Sequence, residues 1–519
     1  MNGKIRLAAC NKQKPDDASP QYVSFEFESL RYPERTGRLL WMHSKAYLIA
    51  GIFCSAVFLT LLGIRLDIFT NHQTIVPIDP GALSSSDTWM GIFQDDQRIG
   101  YTHRQLRPLN SGYLQDETTH LRINTMGMVQ DLTIRTRSEL NPDLTLISFV
   151  FDLNSSLFHF TAEGNRTGDT LTIRVGGDSI EIPVDEPLYM TGGLSAALST
   201  ANLPPGRTRS FWIFDPATMA TRPVRIISTG KEIIESFGQP VNTHKFITNF
   251  MGASQTIWFD EHGDVVQEQG LMGIMIRRVS REEALRSLPE GGGRDMTRIA
   301  AVPIRGKIDH PDELKRLTVK INGTGHLPDL DGDRQKYADG VLTIFLEPPN
   351  APGIQGQKPA KRFLRSSPFI QSDHPTIREL AIDIVAPSDP PRKQIRQLVN
   401  WVYKNIDKQP VLSVPSAMET LKNMRGDCNE HAVLLAALAR SIEIPARIEA
   451  GLVYMNGQFY YHAWNALWLN NRWISADAAL GQFPADVTHI RLVQGSPERQ
   501  LDLIGVIGKI DLEILEPKQ

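Results

Sequence analysis

From Asp87 to about Arg286, apolar and polar side chains alternate with a period of two, in runs broken by turn residues every dozen or so positions. Residues 87–103 (DTWMGIFQDDQRIGYTH) alternate around Asp95-Asp96, and residues 171–184 (LTIRVGGDSIEIPV) around Gly176-Gly177. Residues 255–269 (QTIWFDEHGDVVQEQ) turn near His262-Gly263. Two alternating runs joined by such residues predict a β-hairpin, so this stretch predicts an antiparallel β domain over residues 80–288. The glycine run Gly291-Gly292-Gly293 cannot easily lie inside an element and predicts a boundary. Strand-like runs at 314–325 (LKRLTVKINGTG) and 340–348 (GVLTIFLEP) then predict a small β module over 295–365.

After Pro375 the period becomes helical. Ile377, Leu380, Ala381 and Ile384 fall on one face, and Ile395, Leu398, Val399 and Val402 repeat the spacing after Ser388 and Pro390. Two amphipathic helices therefore open a third region, residues 370–490, followed by a C-terminal strand or tail over 491–519.

One run has no periodicity at all. The 19 residues from Ala46 to Ile64 carry no charge, the length that crosses a bilayer as a helix. No small-residue cleavage site follows, since Arg65 and Asp67 come next, so a retained signal anchor over residues 45–66 is expected. Arg31, Arg35, Arg38 and Lys45 precede it and only Arg65 follows closely, which keeps a polar tail, residues 1–44, in the cytoplasm. The rest of the chain is expected outside the cytoplasm, in a bacterial inner-membrane protein facing the periplasm.

With 55 basic and 58 acidic residues the net charge is -3, so no global field exists to hold a nucleic acid by its phosphates. Of three cysteines, Cys10 falls in the tail and Cys54 in the apolar segment, leaving Cys428 without an intrachain disulfide partner in the exported part.

In residues 424–440 (MRGDCNEHAVLLAALAR), Cys428 begins a helix-forming apolar run. A thiol at a helix N-terminus is favoured as thiolate by the unpaired N–H groups, which predicts a lowered pKa and a ready oxyanion site. Downstream, residues 458–479 (QFYYHAWNALWLNNRWISADAA) read as two strands around Asn470-Asn471. If Leu469 faces Arg472, then Trp468 faces Trp473, Ala466 faces Ser475 and Trp464 faces Asp477. His462 shares a face with Trp464, so Asp477 becomes its diagonal neighbour, within reach of an imidazole–carboxylate hydrogen bond. A thiol, an imidazole and a carboxylate that fixes the imidazole tautomer suffice for acyl transfer through a thioester. His431, one turn along the cysteine helix, is a competing base ranked below His462. Zinc held by Cys428, His462 and Asp477 is conceivable from ligand type, but no CxxC or HxxxH pair supports it. Trp464, Trp468 and Trp473 could line a groove or simply stabilise the hairpin.

GDCNEHA followed by HAWNALWLNNRWISADAA resembles the Cys, His and Asp boxes of the transglutaminase-like superfamily of papain-like enzymes, over about residues 370–485. The resemblance implies a cysteine-bearing helix packed on an antiparallel sheet, with Cys428 as nucleophile, His462 as base and Asp477 as orienter. Ala478 stands where proline is frequent in the family. The expected fold is α+β, and the expected activity is that of a membrane-anchored cysteine peptidase or amidase on a protein or peptide, without cofactor or metal. Amine transfer by a transglutaminase and an inactive envelope scaffold are the alternatives.

Overall fold

The computed structural model describes residues 83–519, apart from 201–202, 251–252, 271, 324–328, 349–357, 496 and 519. The tail and apolar segment expected over residues 1–66 lie outside the described residues. Among the described residues no helix is long and apolar enough to cross a membrane.

Alternating patterns become hairpins where they are expected. Ser86–Gln94 and Gln97–Leu109 join through Asp95 and Asp96, both at positive φ (47° and 64°). Thr170–Val175 and Asp178–Pro183 join through Gly176 and Gly177, and Ala253–Asp260 turns into Val265–Gln269 past Gly263. These hairpins belong to one 15-stranded sheet. The chain starts in its middle, meanders outward to Asp178–Pro183, crosses to the other edge at Leu188–Tyr189, and meanders back until Ile274–Arg278 pairs antiparallel with the first strand. A helix, Thr191–Thr200, follows that crossing; no periodicity in the sequence announces it.

The small module is a five-stranded sheet in the order 304–305, 511–518, 316–322, 341–345, 335–338. The C-terminal strand Asp511–Lys518 is thus an interior strand of this sheet, parallel to Ile304–Arg305 and antiparallel to Arg316–Asn322.

The third region sets helices against a four-stranded antiparallel sheet. Its helices are α1 (Pro375–Ile384), α2 (Pro391–Asn405), α3 (Ala417–Asn423) and α4 (Cys428–Ser441). Its strands are β1 (Ala446–Met455), β2 (Gln458–Leu469), β3 (Arg472–Ala476) and β4 (Ile490–Gly495), in the order β3-β2-β1-β4. The stripe Ile395, Leu398, Val399 and Val402 of α2 is buried as its spacing demands. On α1, only Ile377 and Ala381 are fully buried, and Leu380 and Ile384 rest on the core's margin. Helix α4 is buried without interruption from Glu430 to Arg440, because α1, α2, α3 and the sheet surround it. Each fully buried Leu or Val there contributes about 1.5–3 kcal/mol, so the helix carrying Cys428 is one of the most firmly fixed elements of the chain.

Two apolar cores meet at this sheet. Ala446, Ile448, Ala463, Leu467 and Ile474 pack with α4, in a core that continues into the large sheet. Ala450, Leu452, Phe459, Ile490 and Leu492 pack with Leu317, Val319, Leu342 and Ile344 of the small module. The described residues fall within one compact unit, Val76–Gln519. The structure is mostly β, with the four helices α1 to α4 set against the sheet of the third region, in keeping with an α+β class.

Candidate active site

The site is built from the start of α4, the β2–β3 hairpin and the segment entering β4. Asp427 caps α4: its side chain accepts the amides of Asn429 and Glu430, and the Glu430 carboxylate accepts the Asp427 N–H at 2.9 Å. This reciprocal capping box needs Gly426 beside it, since a Cβ there would lie 2.3 Å from that of Glu430. Cys428 is the first residue of the helix and half-buried.

The hairpin has the register its sequence predicts. Leu469 faces Arg472, Trp468 faces Trp473 and Ala466 faces Ser475, with Asn470 and Asn471 at φ 51° and 58°, the mirror-image turn that suits a two-residue loop. Strand β3 ends opposite Asn465, and Asp477 follows it directly. His462 Nε2 lies 2.7 Å from Asp477 Oδ2, and the two side chains are 5% and 0% exposed.

Helix and hairpin are tied together by backbone-directed bonds. Asn465 Nδ2 donates to the Ala432 carbonyl at 2.9 Å, one turn beyond Cys428, and Asn465 is itself fully buried. Helix α4 packs against β2, and the Ala463 N–H, next to His462, acts on the Cys428 thiol to lower its pKa. The structure therefore brings the thiol to the strand that carries the imidazole, a step that spacing alone could not supply.

The thiol's acidity reverses the expectation from helix position. Burial pushes the Cys428 pKa well up, and the nearby carboxylates of Asp427, Glu430 and Asp477 push it further, against an opposing pull from the Ala463 N–H. Burial and these acids together oppose the thiolate that the start of a helix would favour.

His431 turns its Nδ1 to the Asp427 carbonyl at 2.6 Å, which makes that nitrogen the N–H donor. Its Nε2 is buried with no hydrogen-bond partner, and burial lowers its pKa. Trp464 is 1% exposed and donates to Glu449 at 3.0 Å, so it lines no groove. Trp468 and Trp473 form an edge-to-face pair across the hairpin, ring centroids 5.3 Å apart.

Sequence reasoning missed a second imidazole. His489, immediately before β4, is 0% exposed, with Nε2 2.9 Å from Asp477 Oδ2 and Nδ1 3.2 Å from Asp486 Oδ1. It arrives because β4 pairs with β1, and the pairing needs Gly451: a Cβ there would stand 2.0 Å from the Ile490 carbonyl oxygen. The one available signal is the D-x-x-H spacing of Asp486 and His489. Burial opposes charge on His489, but hydrogen bonds to Asp477 and Asp486 outweigh it and raise its pKa to about 9.

Asp477 is fully enclosed. Its Oδ1 accepts the amides of Ala479 and Leu480 at 2.7 and 3.0 Å, and its Oδ2 receives the two imidazoles. Burial would raise its pKa; the charges and hydrogen bonds of His462 and His489 hold it far below the usual carboxylate range. His462, Asp477 and His489 are also the one group among the described residues with ligand atoms close enough for a metal, within 4.8 Å of one another. The contacts of 2.7 and 2.9 Å to one oxygen are hydrogen-bond lengths, and Cys428 is not in the group.

Residues 378–478 match the family model for the transglutaminase-like superfamily. No curated protein matches the chain. Solved structures, these three among them, align with parts of it. A candidate cysteine protease from Cytophaga hutchinsonii is 17% identical, over 38% of this chain and 83% of that one, with a TM-score of 0.27. A β-barrel-like protein of a domain family of unknown function from Brucella abortus is 7% identical, over 38% and 97%, with a TM-score of 0.30. The periplasmic domain of TgpA from Pseudomonas aeruginosa is 13% identical, over 56% and 95%, with a TM-score of 0.21. The family match spans α4, the β2–β3 hairpin and Asp477, so over residues 378–478 this chain is similar to the transglutaminase-like superfamily.

Proposed function

We propose that the C-terminal region is a thiol enzyme that cleaves amide bonds, with Cys428 as nucleophile, His462 as general base and acid, and Asp477 as the group that orients His462. The observation that carries this reading is the buried His462–Asp477 contact at 2.7 Å on a hairpin that packs against α4, the helix whose first residue is Cys428. A carboxylate on Nε2 makes that nitrogen the donor and leaves Nδ1 as the basic one.

Because burial pushes the Cys428 pKa up, attack and proton transfer go together. His462 Nδ1 takes the S–H proton as sulfur bonds to the carbonyl carbon, and the carbonyl electron pair moves to oxygen. The Cys428 N–H is the one amide among the first three of α4 that the capping box leaves unused, and we assign it to the oxyanion. Collapse expels the amine with the proton from His462 and leaves a thioester. Water, deprotonated by His462, then attacks the thioester and releases a carboxylic acid and the thiol.

Hydrolysis is preferred to amine transfer as the second half-reaction. The substrate is a protein or peptide, and the apolar run 46–64 with its preceding basic residues supports anchoring with this region outside the cytoplasm. The test is incubation of the full chain and of Cys428→Ala with a peptide library and a fluorescent primary amine. Hydrolysis predicts new peptide termini with the wild type alone; incorporation of the amine without cleavage would assign transamidation. Neither product, from wild-type protein that folds, would overturn the enzymatic reading.

A further inference from the structure

His489 takes no part in the acyl-transfer steps, yet it contacts the same oxygen of Asp477 as His462 does. A neutral imidazole has one N–H and one lone pair, so it can satisfy only one carboxylate as a donor. His489 meets a carboxylate at each nitrogen, Asp477 at 2.9 Å and Asp486 at 3.2 Å, with no water-exposed edge. Both contacts are attractive only if both nitrogens carry protons. Asp486 is itself held in place, since its Oδ1 also accepts the Thr488 amide at 2.8 Å and its Oδ2 accepts Gln482 Nε2 at 2.9 Å.

We propose that His489 is a positioning residue of this site, a doubly protonated imidazole whose charge cancels that of Asp477, so that the carboxylate orients His462 without locking a proton on it. This rests on the reading of Cys428 and His462 as nucleophile and base. A bare buried carboxylate 2.7 Å from His462 would hold an imidazolium strongly, because the pair attracts in a medium of low dielectric. An imidazole that is already charged cannot take the proton of a neutral thiol. The cation of His489, ring centroids 5.9 Å from His462, offsets that field and keeps the base free. Its own pKa of about 9 is consistent with a charge that persists through neutral pH.

Other charged groups around the pair do not supply this cancellation. Trp464 packs edge-on to His489 at 5.1 Å, with Glu449 behind it, itself paired with Arg447 and Arg491. Arg334 meets His489 at its carbonyl and not at its ring, and is itself paired with Glu347. From α4, the groups near the thiol are Asp427, Glu430 and His431; the first two are acids and the third is held near neutrality by burial.

The experiment follows alkylation of Cys428 by iodoacetamide against pH in the full chain, read by mass spectrometry. In wild type the rate rises as the base becomes free to accept the thiol proton. His489→Gln keeps an N–H for Asp477 and loses the charge. The midpoint of the rise should move up by on the order of one pH unit, so alkylation at pH 6 falls about tenfold while the alkaline plateau stays within about twofold. Asp486→Asn removes the anion that holds the second proton on His489, and should give a smaller shift in the same direction. It carries the test if His489→Gln does not fold. Nitrogen-15 spectra of the wild type should show one histidine with both ring nitrogens protonated at pH 7.5, lost in His489→Gln. A uniform loss at every pH, or an unmoved midpoint in both variants, would reduce His489 to a structural prop. His462→Asn separates the two readings. If it leaves alkylation unchanged, the base assignment itself fails, whereas its collapse beside an unmoved midpoint in the other variants sinks the role of His489 alone.

Discussion

The large sheet and the C-terminal region both bury charge, but they bury different kinds. In the sheet, Arg104 lies between Glu268 at 2.5 Å and Glu117 at 3.1 Å, with Gln255 completing the Glu268 carboxylate at 2.8 Å. Guanidinium does not lose its proton at any accessible pH, so the cation of this cluster is fixed. Around Cys428, itself half-buried, the buried groups are three imidazoles and carboxylates, side chains that can pass protons to one another. The same desolvation cost is met in both places by pairing. In the sheet the pairing is inert, and in the C-terminal region it is a store of transferable protons. Burial of charge by itself therefore does not mark a site; burial of labile protons beside a nucleophile does.

The contrast breaks most sharply at Asp477. Asp477→Asn keeps the shape but gives His462 a partner that can present an amide N–H, which favours the wrong tautomer. We expect a fall of about 10³- to 10⁴-fold in kcat for amide cleavage, with the fold retained, as judged by circular dichroism. A loss below about tenfold would mean that His462 is oriented by something else. Next in size is the sheet. Arg104→Met strands Glu117 and Glu268, and should cost about 3–5 kcal/mol in urea denaturation. Amide cleavage per folded molecule should stay at the wild-type level. Altered cleavage by folded protein would mean that the sheet does more than support.

Some of this contrast is legible in the sequence, and the boundary of legibility is physical. The β2–β3 register follows from Asn470-Asn471, because a two-residue turn leaves no freedom in the parity of facing residues. The stripe of α2 follows from helical period. Both are local. His489 is brought in by β4 pairing with β1, which is distant in sequence, and alternation does not encode which strands become partners. The joining of the two halves of the large sheet by Met90 opposite Arg278 and the insertion of Asp511–Lys518 into the small module are hidden for the same reason. The thiol's acidity is hidden for a different reason. Helix position argues for thiolate, but the capping residues are themselves acids, and their charge acts at the sulfur too.

The smallest expected effect tests whether the protons of the C-terminal region are coupled to its fold. His489 has a folded pKa raised to about 9, above the unfolded value near 6.5. A group raised in this way stabilises the fold fully below the unfolded value, and that contribution is lost as pH rises through the folded one. The window is therefore pH 6.5 to 9, and the amount is about 3 kcal/mol, since each unit is about 1.4 kcal/mol. Cys428, whose thiol is pushed up by burial, loses stability in the same direction at the alkaline end, so the measurement is best made in a Cys428→Ser background. Urea midpoints should fall between pH 6.5 and 9.5, and His489→Gln should flatten that slope. The Arg104 cluster, which has no proton to lose, should leave the slope unchanged when it is cut. If His489→Gln keeps the full slope, the second proton is not on that ring, and the two buried clusters differ less than their chemistry suggests.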